Sequence, residues 1–360
     1  MQHNPPKRLI LAFLSCSLVA GCSRTPSESS DNTEGVDNVS NVVQTDSSSI
    51  VATGQSAEQE PKTLGLAWPD GKRFVYEVKI NQITSAEEGS FAAALDSVAG
   101  QKFKYSVSAN IDENSGNTLL EMEILSAMVN LEMMGNKLTF DSENPAPAGS
   151  IDPMHTMLEG LNVLIGEKLT LTYSPEGEVT EVKGLDSMYD KITNAIPPQA
   201  APVAQGFIQE DQFKQLASYP FWPESSVKIG DDWKRKYTQV FGTSGAMEVD
   251  NTYTFKGQAE RGGRQVNVLA YEGFIVADAA QNADMMGMEM SMTDGKNSGE
   301  IFVDRTSGFI VHASANQEMI MNMQLPEALA AAAPGPLAIK ASIVQTTQLI
   351  EVSDVEKSDD

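Results

Sequence analysis

Between residues 64 and 352 apolar and polar side chains alternate with a period of two, and this constrains the fold more than any other feature of the chain. Successive side chains on a strand point to opposite faces, so each alternating segment has one apolar and one polar side. Phe74, Tyr76, Val78 and Ile80 share one parity within residues 72–81. Phe103, Tyr105, Val107 and Ala109 do the same, as do Leu120, Met122 and Ile124 within residues 118–132. The pattern predicts further strands at 137–140, 168–173 and 179–182, then at 233–240, 247–256, 265–277, 286–292, 299–303, 309–323 and 339–352. Gly135-Asn136 and Pro175-Glu176-Gly177 supply turn chemistry between them.

Helical spacing occurs in few places. Asp152 is a suitable N-cap and Pro153 a suitable first residue for a helix over 153–165. Leu185, Met188, Tyr189 and Ile192 predict a second helix that stops before Pro197-Pro198. Residues 209–216 read as a third short helical turn, and 195–204 as a Pro- and Ala-rich linker or lid connection. Gly71 and Gly230 each stand three residues before an aromatic at a strand start, Phe74 and Trp233, a faint internal echo. The expectation is mainly β: an antiparallel curved sheet or half-barrel with two or three short helices over its concave side. A β-sandwich is the alternative. Two similar lobes, 64–195 and 215–352, would account for the echo.

The N-terminus reads as an address. Lys7 and Arg8 precede a twelve-residue, mostly apolar run over 9–20, too short to span a bilayer, which needs about 20 residues. Ala20 and Gly21 then lead to Cys22, where lipoprotein signals place the acylated cysteine. Val19 holds the place, three before the cysteine, that Leu usually takes. Residues 1–21 are therefore expected to be removed and Cys22 to carry palmitate-type acyl chains, worth about 0.8 kcal/mol per buried CH₂. Ser23, rather than Asp, favours the outer membrane in bacteria resembling the enteric ones. Residues 23–63 hold no Phe, Tyr or Trp and read as a disordered leash, because they cannot bury enough apolar area to offset ordering. Residues 353–360 form a short acidic tail. Of two cysteines, Cys16 leaves with the signal and Cys22 carries lipid, so neither a disulfide nor thiol chemistry is expected in the domain.

Formal net charge is −24, and loss of Lys7 and Arg8 takes it to −26. That argues against nucleic acid as a partner and disfavours anionic headgroups. The acids are scattered, with no Asp-x-Asp-x-Asp-Gly calcium loop. No Gly-x-Ser-x-Gly elbow and no His-Glu-x-x-His occurs. His155 and His312 are the histidines left after processing, and both read as ordinary structural residues. Glu121 and Glu123 lie two apart on the polar side of a strand, a solvated face rather than a glycosidase pair. Asp231-Asp232 and Asp304 precede turns, and turn chemistry explains them better than metal binding does. Neither a cofactor nor a metal is expected.

Methionine is the suggestive bias, with seventeen in the chain. Met286, Met288, Met290 and Met292 take one side of a strand, and Met319, Met321 and Met323 one side of another. Three readings stand: core filler, an adaptable apolar pocket for a lipid or acylated ligand, and soft ligation of Cu(I). Against copper, the group has no nearby His or Cys.

Three segments carry a resemblance: residues 74–77 (FVYE), 227–233 (VKIGDDW), and 299–304 (GEIFVD) followed by Thr306-Ser307-Gly308. In these the chain resembles an uncharacterised family of bacterial lipoproteins with an all-β domain of unknown function. Its pattern is also similar to the half-barrel proteins that carry lipids or lipoproteins across the periplasm. That second likeness implies an apolar cavity and no activity. The function expected is therefore non-enzymatic: an envelope lipoprotein that binds an apolar small molecule or an envelope protein in a β-rich concavity lined by these methionines. A scaffold lipoprotein without a pocket is the alternative, with a hydrolase a more distant one.

Overall fold

The computed structural model describes residues 60–86, 96–133, 136–144, 160–174, 179–195, 221–240, 246–277, 283–285, 288–324 and 337–355. The strands are β1 (Lys72–Ala86), β2 (Ser97–Ile111), β3 (Thr118–Met133), β4 (Asn136–Asp141), β5 (Lys168–Tyr173), β6 (Val179–Lys183) and β7 (Asp232–Val240). They continue as β8 (Ala246–Arg261), β9 (Arg264–Ala277), β10 (Ala283–Met285), β11 (Met288–Asp304), β12 (Ile310–Gln324) and β13 (Leu337–Asp354). All thirteen form one open sheet in the order β6-β5-β3-β2-β1-β13-β12-β11-β9-β8-β7, with β4 beside β3 and β10 beside β11. Every pairing is antiparallel. A single continuous sheet replaces the β-sandwich alternative.

The two ends of the sheet share a device. β3 pairs β5 through Thr118 to Glu123 and β4 through Met128 to Met133. β11 likewise pairs β10 at one end and β9 at the other. Gly71 (φ 65°) and Gly230 (φ 91°) both adopt the left-handed conformation before a strand. Each donates its N–H to a strand carbonyl, Ala109 at 2.9 Å and Phe255 at 2.8 Å respectively.

Curvature follows from the register. Leu125, Ile350, Val311 and Lys256 each lack a cross-strand partner, marking bulges in β3, β13, β12 and β8. Traced through the pairings, these four fall close to one line across the sheet. A bulge bends its strand and sharpens its twist, so the aligned set bends the sheet along that line.

The register also gathers the apolar parity of every long strand onto one face. Phe74, Val107, Leu120 and Leu171 pack on that face at the first end of the sheet. Phe255, Leu269, Ile301 and Val303 do so at the other end, under Leu64, Phe221 and Val227. Ile80, Val249, Ile275, Met319, Ala341 and Ile343 form a third cluster. Val266, Val268 and Phe302 have the opposite parity and are buried as well, so part of β9 and β11 is covered on both sides.

Helix α1 (Leu185–Ala195) caps the first end, with Leu185, Met188 and Ile192 buried at helical spacing. It follows Gly184 (φ 95°), where a Cβ would lie 2.5 Å from the Lys168 carbonyl oxygen. The described end of the expected helix over 153–165 is instead a 3-10 turn, Gly160–Leu164. The rest of that segment, the expected helical turn at 209–216, the linker after Ala195, and the signal and leash before Glu60 lie outside the described residues. Among the described residues no helix is long and apolar enough to cross a membrane.

Candidate functional site

Three adjacent rows on the buried face carry its polar and sulfur chemistry. The first is aromatic. Trp233 on β7 stacks on Tyr253 of β8 at 5.9 Å, and Tyr253 meets Tyr271 of β9 at 5.4 Å. Tyr271 pairs with Gly299 on β11, where a Cβ would lie 2.7 Å from the Tyr271 hydroxyl and 2.0 Å from the Ser314 carbonyl oxygen. Glycine there lets the ring lie across the neighbouring strand.

The second row is polar: Arg235, Asn251, Gly273, Asn297 and Gln317 on β7, β8, β9, β11 and β12. Asn297 Nδ2 donates to Asn251 Oδ1 at 3.3 Å, and Asn251 Nδ2 donates to the Tyr253 hydroxyl at 3.2 Å. Both asparagines are buried, and Asn297 Oδ1 has no protein partner. A Cβ on Gly273 would lie 2.3 Å from Asn251 Oδ1, so a side chain there would displace the amide. Burial raises the Tyr237, Tyr253 and Tyr271 hydroxyls above the usual phenol range, Tyr237 and Tyr271 the most. Arg235 is engaged at the rim: Nε and Nη2 donate to the Trp222 carbonyl at 2.9 and 2.6 Å, and Nη1 to Glu224 at 2.7 Å.

The third row holds the methionines. Met319 is fully buried in the cluster of Ile80, Val249 and Ile275, with Met321 packed against it. The register pairs Met292 with Met321 and Met290 with Met323, which in turn pairs with Leu337. Thr293 forms a bulge after Met292, so Gly295, not Asp294, carries the row on beside Met319. Met288 pairs with Met285 on β10, and Met286 lies outside the described residues. Met319 is thus a core residue, while Met288, Met290 and Met292 on β11 and Met321 and Met323 on β12 form a Met-bearing extension of the same face.

The other candidates lie apart from these rows. His155 is outside the described residues. His312 sits on β12 against the edge of Phe302, at 5.7 Å between ring centres. Burial and the nearby Arg261 cation push its imidazole down to about 4, and its Nδ1 has no protein partner. Glu121 pairs with Lys168 at 2.7 Å on the outer face. Asp231 Oδ2 accepts from the Lys228 N–H at 2.8 Å, and Asp304 Oδ1 accepts from the N–H groups of Thr306 and Ser307 at 3.0 and 2.9 Å. Both carry out turn chemistry as the sequence predicts. No group of three His, Cys, Asp or Glu side chains suited to a metal occurs among the described residues. An open hollow lined by Pro223, Glu224, Asp231 and Arg235 is polar and lies at the rim, away from the methionine rows.

Residues 115–310, more than half of the chain, match a family described as of unknown function, DUF6263. The chain belongs to DUF6263. The match spans the aromatic row, the polar row as far as Asn297, and β11, and includes two of the three segments that carried the resemblance. Among solved structures, this DUF6263 chain is similar to lipovitellin, studied for its lipid–protein interactions, at TM-score 0.41 and 12% identity. That alignment covers 81% of the chain but 26% of lipovitellin. A protein of Bacteroides fragilis NCTC 9343 with a YmcC-like fold aligns at TM-score 0.26 and 10% identity, over 81% of this chain and 100% of its own. DynF, from the dynemicin biosynthesis pathway of Micromonospora chersina, aligns at TM-score 0.20 and 8% identity, over 85% and 95%. No curated protein sequence matches.

Proposed function

We propose that this DUF6263 protein is a non-enzymatic envelope lipoprotein, acylated on Cys22 at the outer membrane, that binds a hydrophobic ligand at the Met-bearing end of its buried sheet face. The carrying observation is the register. It sets Met290 opposite Met323 and Met292 opposite Met321, on the face that holds the apolar cluster around Met319. Unbranched thioether side chains adapt to varied apolar shapes. A bound acyl chain would gain about 0.8 kcal/mol per buried CH₂.

The test is native mass spectrometry of the protein purified from membranes, with organic extraction of whatever co-purifies. An apolar molecule, lost when Met288 and Met290 are changed to Gln without loss of thermal midpoint, is the outcome expected. A clean apo mass with no uptake of a fluorescent fatty acid would sink the carrier reading. Cys22→Ala separately tests the address, since continued membrane attachment would refute acylation there.

A scaffold reading has one observation in its favour. Ile83 and Val98 are direct cross-strand partners on the outer face and are 56% and 52% exposed. Phe274 and Val276 add exposed apolar surface on that side. It predicts an apo mass together with a stable protein contact that Ile83→Lys abolishes.

A further inference from the structure

Two cations meet in this acidic chain without a carboxylate between them. The backbone of Lys62 is fixed by a reciprocal bridge, its N–H donating to Val227 O and the Val227 N–H to Lys62 O, each at 2.8 Å. Arg305 opens the turn from β11 to β12, and its backbone N–H donates to Gln265 O at 3.0 Å. These anchors bring both side chains to one acceptor. With its amide oriented so that the oxygen faces the two cations, as their donors require, Gln258 accepts from Arg305 Nε at 3.2 Å and from Lys62 Nζ. Asp304, the acid next in sequence, is turned away, with its Oδ1 taken by Thr306 and Ser307.

Among the described residues no carboxylate pairs with Lys62 or Arg305. An ammonium has three N–H donors and a guanidinium five, and the amide takes one from each. The remaining donors belong to an exposed Arg305 and a half-buried Lys62. Burial and the Arg305 charge hold the Lys62 ammonium below its usual range. Arg264 stands over Phe309 at 5.7 Å and Arg261 over Phe302 at 4.6 Å, adding positive charge around the neighbouring β8–β9 turn.

We propose that Lys62 and Arg305, held together by Gln258, form a binding site for a phosphate oxyanion. A tetrahedral dianion accepts from Lys62 Nζ and the Arg305 Nη groups at once and neutralises the like-charge contact between them. Lys62 also lies where the expected leash over residues 23–63 joins the sheet, so a lipid headgroup and free phosphate are both sources of that chemistry.

The experiment titrates the full chain with inorganic phosphate at constant ionic strength, with chloride as the balancing anion. Binding is read by calorimetry and by the NMR-detected pKa of Lys62. Saturable binding, an upward move of the Lys62 pKa, and at least tenfold weakening in both Lys62→Gln and Arg305→Gln are expected, with Arg305→Lys partly retaining affinity. A second arm measures co-sedimentation with phosphatidylglycerol and phosphatidylcholine vesicles. Retention on phosphatidylglycerol that Lys62→Gln removes assigns the site to a lipid headgroup. Phosphate binding without vesicle binding assigns it to a soluble phosphate. No response beyond chloride, or unchanged affinity in both Gln variants, overturns the site. Should a Gln variant fail to fold, the Lys62 pKa in the wild type still decides.

Discussion

Gly299 and His312 show how single residues are fixed by what faces them across the sheet. A Cβ at position 299 would meet the Ser314 carbonyl at 2.0 Å, and backbone cannot swing aside as a flexible side chain does. Gly299→Ala is therefore expected to cost about 2–3 kcal/mol, as overpacking does, while Gly65→Ala, with nothing within 4 Å, stays near zero. Urea denaturation of the two variants checks this, and equal midpoints would refute the packing account. For His312 the folded imidazole stays neutral down to about pH 4, whereas an unfolded one takes a proton near 6.5. The unfolded state then binds more protons between those values. Its contribution to stability is complete above pH 6.5, falls as pH drops through the window, and changes no further below pH 4. The stability of His312→Gln should depend less steeply on pH across that window, and identical slopes would show that the buried imidazole does not contribute.

At the scale of elements, the alternation was a reliable guide where apolar residues held one parity without interruption. Residues 168–173 form β5 as the pattern predicts, and residues 118–132 grow by one into β3. It failed at Asp294-Gly295-Lys296-Asn297, whose composition reads as a turn between two strands. These residues instead continue β11, because Gly295 is required by close packing: a Cβ would lie 2.9 Å from Ile275 Cβ. A local pattern does not distinguish a glycine that bends the chain from one that admits a neighbour. The polar row left a fainter trace. Asn251 shares parity with Val249, Tyr253 and Phe255, and Asn297 with Ile301 and Val303, so each is a polar residue on an apolar side. What the sequence lacked was the register that brings the two amides together across Gly273. The helix was legible because its stripe is short and complete. Met188 is fully buried in it, so Met188→Ala should cost about 2–4 kcal/mol through lost transfer energy and a cavity. Asp190→Ala, on the same helix outside the buried stripe, should move the midpoint little. Equal effects in a thermal scan would mean that α1 does not depend on its buried face.

Over the whole molecule the decisive contact is between β1 and β13, which pair in register from Lys72 with Asp354 to Ala86 with Ile339. Strands distant in sequence lie side by side at the centre of the sheet, while the edges β6 and β7 come from the middle of the chain. Removing β13 would therefore strip hydrogen-bond partners from both β1 and β12, and would take the buried Ala341 and Ile343 away from the cluster that covers Ile80 and Met319. Among the described residues the two ends of the sheet have no other direct strand pairing between them. A chain ending at residue 336 is expected to lose cooperative unfolding altogether, since neither β1–β6 nor β7–β12 keeps a covered central edge. Such long-range closure also makes folding slow, because loop entropy is lost before the central pairing forms. Hydrogen exchange on the intact protein should place the slowest amides in β1, β12 and β13, with β6 and β7 exchanging first. Independent, cooperative melting of either half after truncation would show that the lobes are self-sufficient and that the central pairing merely joins them.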